Sequence, residues 1–349
     1  MRVLFLTDKF SHEHRSAESR HPGGAELTDA AALEACPFPL TVSSFKELAL
    51  EQLDAHDVLL LGNSQSATPQ QLAAVARSGR HILFEHDLRI CRLNGNFPSA
   101  IDPVHRLWER CWCPHDGLQE IVRSARGMIF LTRRQLEHYR ANPFFRFAEA
   151  RMRVLGCSLF SRQFFEQLPT PAEANQTRRH GSCALHSKSF IKGTREALQY
   201  IAERGWEPRL LKDLPPEDVL ATFREAERLV YLPRGLEPAG RMPVEARLNG
   251  CEVVVNDHVG VAGERWWQGD REQALGHLTA APAAFWRFVE ELNGAGPVGD
   301  DAWQAGPQER AAAALSRGFA ALGTRQAPRL PLLGAARKYQ RSCVIYPGW

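Results

Sequence analysis

Long apolar runs are missing from this chain of 349 residues. None approaches the roughly 20 residues that a bilayer-spanning helix needs. The opening stretch, MRVLFLTDKF, lacks the apolar block and small-residue cleavage site of a secretory leader, so a cytoplasmic protein is expected. Cysteine is sparse and scattered: the eight thiols show no regular pairing pattern, and a chain of this size needs no covalent staples, so they are expected to be reduced. Cys111, Cys113 and His115, in CWCPH, could belong to a metal site, but no second pair stands at zinc-ligand spacing and the residues alone leave this open. There is no repeat at a solenoid period, and the formal net charge is only +3.

What is present is an ordinary globular composition, 44% apolar and 24% charged, in a chain long enough for two cores. Short apolar runs alternate with helical segments, which implies parallel sheets covered by helices. Strands are expected at Val3 to Thr7, Leu40 to Ser43, Val58 to Gly62, His81 to Phe84, Met128 to Leu131 and Met152 to Leu155. Helices are expected at Glu26 to Leu33, Pro69 to Arg77 and Arg133 to Arg140. After a polar stretch the rhythm restarts, with strands near Ala184 to His186, Arg209 to Leu211, Leu229 to Leu232 and Cys251 to Val255. Thr194 to Arg204 and Pro216 to Ala226 read as helices between them. The predicted organisation is a first Rossmann-like domain over 1–170, a linker over 171–182, a second such domain over 183–325 and a tail or helix over 326–349 that packs back toward the first.

The densest local signal is GLEPAGRMPVEARLNGCEVVVND. Pro243 suits the first helical position, Gly250 the position just past the end, and Val253 to Val255 a buried strand. Glu245 is therefore expected in the first turn of a short helix, with Glu237 in the loop before it. Free N–H groups at such a helix start, together with the macrodipole, favour an anion such as a diphosphate.

In this stretch the chain resembles the retaining, nucleotide-sugar-dependent glycosyltransferases of the two-domain GT-B fold, in particular family 4. Glu237, Glu245, Ala246, Gly250 and Val253 to Val255 match the family's signature in order. The resemblance implies an α/β fold with two parallel sheets facing across a cleft. It also implies that Glu237 holds hydroxyls of the transferred sugar and Glu245 the ribose of a nucleotide sugar such as a UDP-sugar. HPGGAELTD matches the family's Gly-Gly-Ala-Glu loop, where Gly23 and Gly24 admit the donor diphosphate or the acceptor and glycine makes φ > 0 cheap. His86, at a strand end in ILFEHDLRI, matches a histidine that faces the donor sugar, with Asp87 placed to orient its ring. Lys192 and Gly193 match the family's KG element, and Lys188 stands where arginine is commoner. With the amides near Gly240 and Arg241, these cations would neutralise the diphosphate, so a bound metal is not required. Glu26, Asp87 and Arg89 are candidates on the acceptor side. The implied reaction passes through an oxocarbenium-like centre attacked from the same face, with a phosphate oxygen taking the acceptor proton.

The acceptor is less sharply written. From Ile101 to Lys192 there are 15 Lys and Arg against 8 Asp and Glu, interleaved with Trp108, Trp112, Phe144, Phe145 and Phe147. Such a band could meet DNA, an anionic glycan or a membrane surface. EHDLRICRLNGNFP and CWCP resemble small bacteriophage transferases, some of which glycosylate hydroxymethylated pyrimidines in DNA. The expectation leans to DNA, with a cell-surface glycan or lipid-linked sugar as the alternative; a sugar-nucleotide epimerase would share the architecture. Two departures stand out from the family pattern: Glu252 where proline is usual, and VGVAGERWW in place of a Gly-Gly-Glu run.

Overall fold

The computed structural model describes residues 1–10, 21–91, 116–142, 145, 148–295 and 343–348. Six strands, β1 (Val3–Thr7), β2 (Leu40–Ser44), β3 (Val58–Leu61), β4 (His81–Glu85), β5 (Gly127–Phe130) and β6 (Met152–Val154), form an all-parallel sheet in the order β2-β1-β3-β4-β5-β6. The runs VLFLT and VLLL are buried at every position. Alternate side chains enter different cores: Val3 and Phe5 lie on one face, Leu4 and Leu6 on the other. A parallel sheet covered on both faces requires such unbroken apolar strands. The covering helices include α1 (Gly24–Glu34), α2 (Pro69–Ser78), α3 (Asp116–Ser124) and α4 (Arg133–Arg140).

The expected linker is not featureless. It carries α6 (Pro171–Gln176), opened by a Thr170 and Glu173 capping box, and follows the single turn and a half of α5 (Arg162–Glu166). The second sheet then builds from β7 (Ser182–Leu185), β8 (Pro208–Leu211), β9 (Arg228–Tyr231) and β10 (Glu252–Val255), which are parallel, with α7 (Thr194–Glu203), α8 (Pro216–Glu225) and α9 (Arg241–Leu248) between them. With β11 (Val344–Tyr346) at one edge, its order is β11-β10-β9-β7-β8.

One segment departs from expectation. The described part of the tail does not reach the first sheet: β11 (Val344–Tyr346) pairs antiparallel with β10. It supplies the hydrogen bonds that the open edge of β10 would otherwise lack, and its β-branched and aromatic residues suit that place. α10 (Arg271–Gly294), which runs through Pro282, packs back against the first half. Phe285 lies 4.6 Å, ring to ring, from Phe84 of β4, and Trp286 Nε1 donates to the Ala32 carbonyl at 2.8 Å. Leu292 fills the space over Gly127, where a Cβ would come within 2.4 Å of its Cδ2. Among the described residues, no helix is long and apolar enough to cross a membrane.

Candidate active site

Two helix starts face each other between the sheets. α1 begins at Gly24, two residues earlier than expected, with Gly23 as its N-cap. Gly23 has φ −82°, so the left-handed conformation is not why glycine stands there. At Gly24 a Cβ would rest 4.0 Å from the Arg241 side chain, an ordinary van der Waals contact, so the two helix starts lie close together without a clash that demands glycine. Opposite, α9 begins at Arg241, because Gly240 takes the left-handed conformation (φ 58°, ψ 54°) that turns the loop into the helix. A Cβ at Gly240 would come within 2.7 Å of Val259. Pro243 is thus the third helical residue rather than the first, still within the turn whose N–H groups have no intrahelical acceptor. Glu245 consequently falls in the second turn, not the first. The far end follows the sequence reading: Gly250 (φ 84°) donates to Arg247 and Cys251 to Ala246, the paired bonds of a Schellman stop.

Both glutamates are paired with cations. Lys192 Nζ donates to Glu237 Oε2 at 2.7 Å, and the Tyr231 hydroxyl at the end of β9 donates to the same oxygen. Burial alone would raise the Glu237 pKa, but Lys192 and Tyr231 hold it below the ordinary carboxylate value. Lys192 is raised in turn: burial opposes its charge and Glu237 outweighs that. Gly193 aims this lysine. Its φ is 67°, and a Cβ there would lie 1.8 Å from the Leu232 carbonyl oxygen, so only glycine lets the loop lie against the end of β9. The second pair is Arg241 Nε to Glu245 Oε1 at 2.7 Å, with Arg241 Nη1 also donating to Leu159 O at 2.6 Å. Burial raises the Glu245 pKa and lowers that of Arg241, each offset by the other's charge.

A cavity of about 1010 Å³ collects these groups. Gly23, Gly24, Lys188, Lys192, Glu237, Gly240, Arg241 and Glu245 all border it. It lies beyond the carboxyl ends of strands from both sheets, where α/β folds hold ligands. Two seams hold the sheets in this relation: Thr132 Oγ1 donates to the Pro238 carbonyl at 2.5 Å, and Glu264 Oε1 accepts the Arg133 amide at 2.7 Å.

No protein-family model matches the chain, and no curated protein matches it in sequence. Among solved structures it is similar to HepE of Anabaena in complex with UDP, at a TM-score of 0.50 and 14% identity, over 91% of this chain and 100% of that one. Lower similarity is found to AviGT4, a glycosyltransferase involved in avilamycin A biosynthesis (TM-score 0.45, 13% identity, 84% and 98% covered). An α-glucosyltransferase in complex with UDP-glucose and DNA containing an abasic site stands at TM-score 0.45 and 9% identity, with 84% and 93% covered. The first of these carries the assignment of architecture. The fold is GT-B.

Within this GT-B frame the other sequence candidates scatter. His86 does not border the large cavity. It is buried, with Nε2 2.7 Å from Asp29 Oδ1 and its ring 4.5 Å from that of Phe84. Asp29 of α1, not Asp87, therefore holds the imidazole. Burial disfavours the charged ring, yet Asp29 and the neighbouring acids raise its pKa above the usual 6.5. Asp87 lies close enough to feel Lys192 and Glu237; burial raises its pKa, Lys192 and His86 oppose the rise, and Glu237 adds to it. Arg89 is committed internally, donating to Glu85 Oε1 at 2.8 Å, to Gly62 O at 2.6 Å and to Ser64 Oγ. Asp87 and Arg89 border a second cavity of about 660 Å³ in the first half, and Glu26 a third of about 470 Å³.

Part of the expected basic band is spoken for. Arg134, Arg140, Arg153 and Arg162 each face a carboxylate, at Asp257, Glu149, Glu291 and Glu166. Phe145 is buried, and Trp108, Trp112, Phe144, Phe147 and the CWCPH stretch lie outside the described residues. Among the described residues no cluster of three or more His, Cys, Asp or Glu is placed to hold a metal. Sequence reasoning missed Tyr231, Asp29 and Glu264. A tyrosine six residues before the first glutamate was the one signal within reach.

Proposed function

We propose that this chain is a retaining glycosyltransferase that moves a sugar from a nucleoside-diphosphate donor to an acceptor hydroxyl, as its resemblance to family 4 implies. The observation that carries the reading is the convergence of two helix starts, Lys188 and Lys192 on one cavity in which Glu237 and Glu245 already have cation partners. Two positive helix ends aimed at one another repel unless an anion lies between them, and a diphosphate supplies that charge.

In this reading the second half holds the donor and the first half the acceptor. Glu245 takes the ribose hydroxyls, Lys188, Lys192 and the amides at Gly240 and Arg241 take the diphosphate, and Glu237 takes hydroxyls of the sugar. His86 acts from behind the cavity wall, fixed by Asp29. The bond from the anomeric carbon to the diphosphate oxygen breaks and its electron pair leaves with the nucleotide. The acceptor oxygen bonds to the same face, and its proton passes to the departing phosphate oxygen. Preorganised donors around that phosphate stabilise the charge as it develops.

HepE was crystallised with UDP, so uridine nucleotides are tested first. Titration calorimetry with UDP, GDP, ADP, CDP and dTDP should give micromolar to sub-millimolar binding for at least one. The matching nucleotide sugars, incubated with hydroxymethylcytosine DNA and with a saccharide panel, should then yield free nucleotide and a product heavier by one glycosyl unit. Isomerisation of the nucleotide sugar with no release of nucleotide would replace the transferase reading by an epimerase. Failure of every nucleotide to bind at millimolar concentration would end both. DNA as acceptor, the sequence's leaning, is tested in the same panel; four of the fifteen basic residues of its band, Arg134, Arg140, Arg153 and Arg162, each face a carboxylate.

A further inference from the structure

The transfer scheme gives Tyr231 no part, yet the residue is closely built into the site. It closes β9 in register with Val255, lies buried in the large apolar cluster and borders the cavity that holds both glutamates. Burial, with the Glu237 charge beside it, raises the pKa of its hydroxyl above a phenol's ordinary 10, so the proton stays on and the group is a donor. That proton goes to Glu237 Oε2, the oxygen that Lys192 Nζ also meets at 2.7 Å. Oε1 accepts no hydrogen bond among the described residues, and Glu237 borders the cavity, so Oε1 is the oxygen left for a ligand. The Glu237 backbone is pinned on both sides: its amide donates to the His258 carbonyl at 2.9 Å and its carbonyl accepts the Gly260 amide at 2.8 Å. What remains to be fixed is the direction of the side chain.

We infer that Tyr231 is a positioning residue for transfer, the anchor that keeps Glu237 aimed with Oε1 toward the sugar once Lys192 has turned to the diphosphate. The inference rests on the transferase reading and adds a division of labour within it. The two partners of Oε2 are unequal. Lys192 is a flexible cation with a partly exposed side chain, and a diphosphate offers it more charge than one carboxylate does. Tyr231 is a neutral donor on a rigid ring packed in the core, which costs little rotamer entropy to hold in place. Without it, the departure of Lys192 would leave a largely buried carboxylate with no protein donor, free to turn and easier to protonate. A filling role alone does not account for the hydroxyl: phenylalanine would occupy the same space in the cluster with no polar atom to satisfy.

The test compares Tyr231→Phe with the unaltered full chain, using the nucleotide sugar and acceptor that the latter turns over. The ring is kept, so the fold is kept, and a denaturant melt checks it. kcat is expected to fall about 10- to 100-fold, the scale of one hydrogen bond to a charged group, while the Kd of the free nucleotide moves by less than about threefold. The acid limb of the kcat profile should move to higher pH. Burial favours the neutral Glu237 carboxyl, Lys192 and Tyr231 oppose it, and Asp87 is the neighbouring acid, so losing one of the two opposing groups makes Glu237 easier to protonate. An unchanged kcat, an unmoved acid limb, or a fall in kcat matched by an equal loss of nucleotide affinity, the mark of a merely structural role, would each overturn the inference while leaving the donor site standing. If the unaltered protein turns over no nucleotide sugar, the transferase reading beneath it fails instead.

Discussion

Replacing Glu237 by glutamine should separate nucleotide binding from sugar transfer. The change keeps the shape and an acceptor for the Tyr231 hydroxyl but removes the charge that occupies Lys192. If Glu237 grips the transferred sugar more tightly in the transition state, transfer should fall roughly 100- to 1,000-fold, the scale measured for losing one well-aimed transition-state contact. Nucleotide affinity should move the other way, because Lys192 no longer has to leave a carboxylate to meet a phosphate. The side chains are 37% and 20% exposed, so the pair is partly screened. Its worth is nearer the roughly 1 kcal/mol of a surface pair than the 3 to 5 kcal/mol of a fully buried one, which caps the gain at about fivefold. Glu237 has its folded pKa below the ordinary 4.5. Its contribution to stability is therefore present above that value and lost as pH falls through the folded one, and the stability gap between wild type and Glu237→Gln should close in acid. Calorimetry for the nucleotide, initial rates for transfer and denaturant melts from pH 3 to 8 would measure all three. A nucleotide affinity that collapses together with transfer would refute the division of labour between Glu237 and Lys192.

Other perturbations have signs fixed by the same geometry. Gly193→Ala forces a left-handed alanine and a backbone collision with Leu232, and should cost more than about 2 kcal/mol in denaturant melts while weakening nucleotide binding through the displaced Lys192. Asp29→Asn should remove a pH dependence of stability: His86 has a raised folded pKa, so its pairing contributes fully below about 6.5 and is lost as pH rises through the folded value. Melting temperatures across pH 5 to 9 would show the wild type losing this increment and the variant lacking it. Leu292→Ala, a fully buried side chain over Gly127, should cost about 2 to 5 kcal/mol with little change in nucleotide affinity once folded.

Strand positions were legible because a two-sided parallel sheet demands unbroken apolar runs, and VLFLT, VLLL and HILFE carry that demand openly. Helix starts were less so. Both α1 and α9 open two residues before the expected place, since a glycine N-cap leaves no side-chain signature comparable to the Thr68 and Gln71 box that opens α2. The cluster of Glu237, Glu245, Lys188, Lys192 and the paired glycines in one cavity was readable from local motifs joined by a resemblance. Partners were not. Asp29 meets His86 across 57 positions and Glu264 meets Arg133 across 131, and no spacing rule reaches that far.

The return of α10 across the molecule has a thermodynamic consequence. A helix that leaves the second sheet and buries Phe285, Trp286 and Leu292 against the first makes each half a lodger in the other's interior, within one continuous apolar cluster. Severing the chain at the α6 connection would leave the amino-terminal piece with an uncovered sheet face and the carboxyl-terminal piece with an unhoused aromatic helix. Unfolding should accordingly be a single cooperative event, and the isolated pieces should aggregate when made apart yet recover when made together.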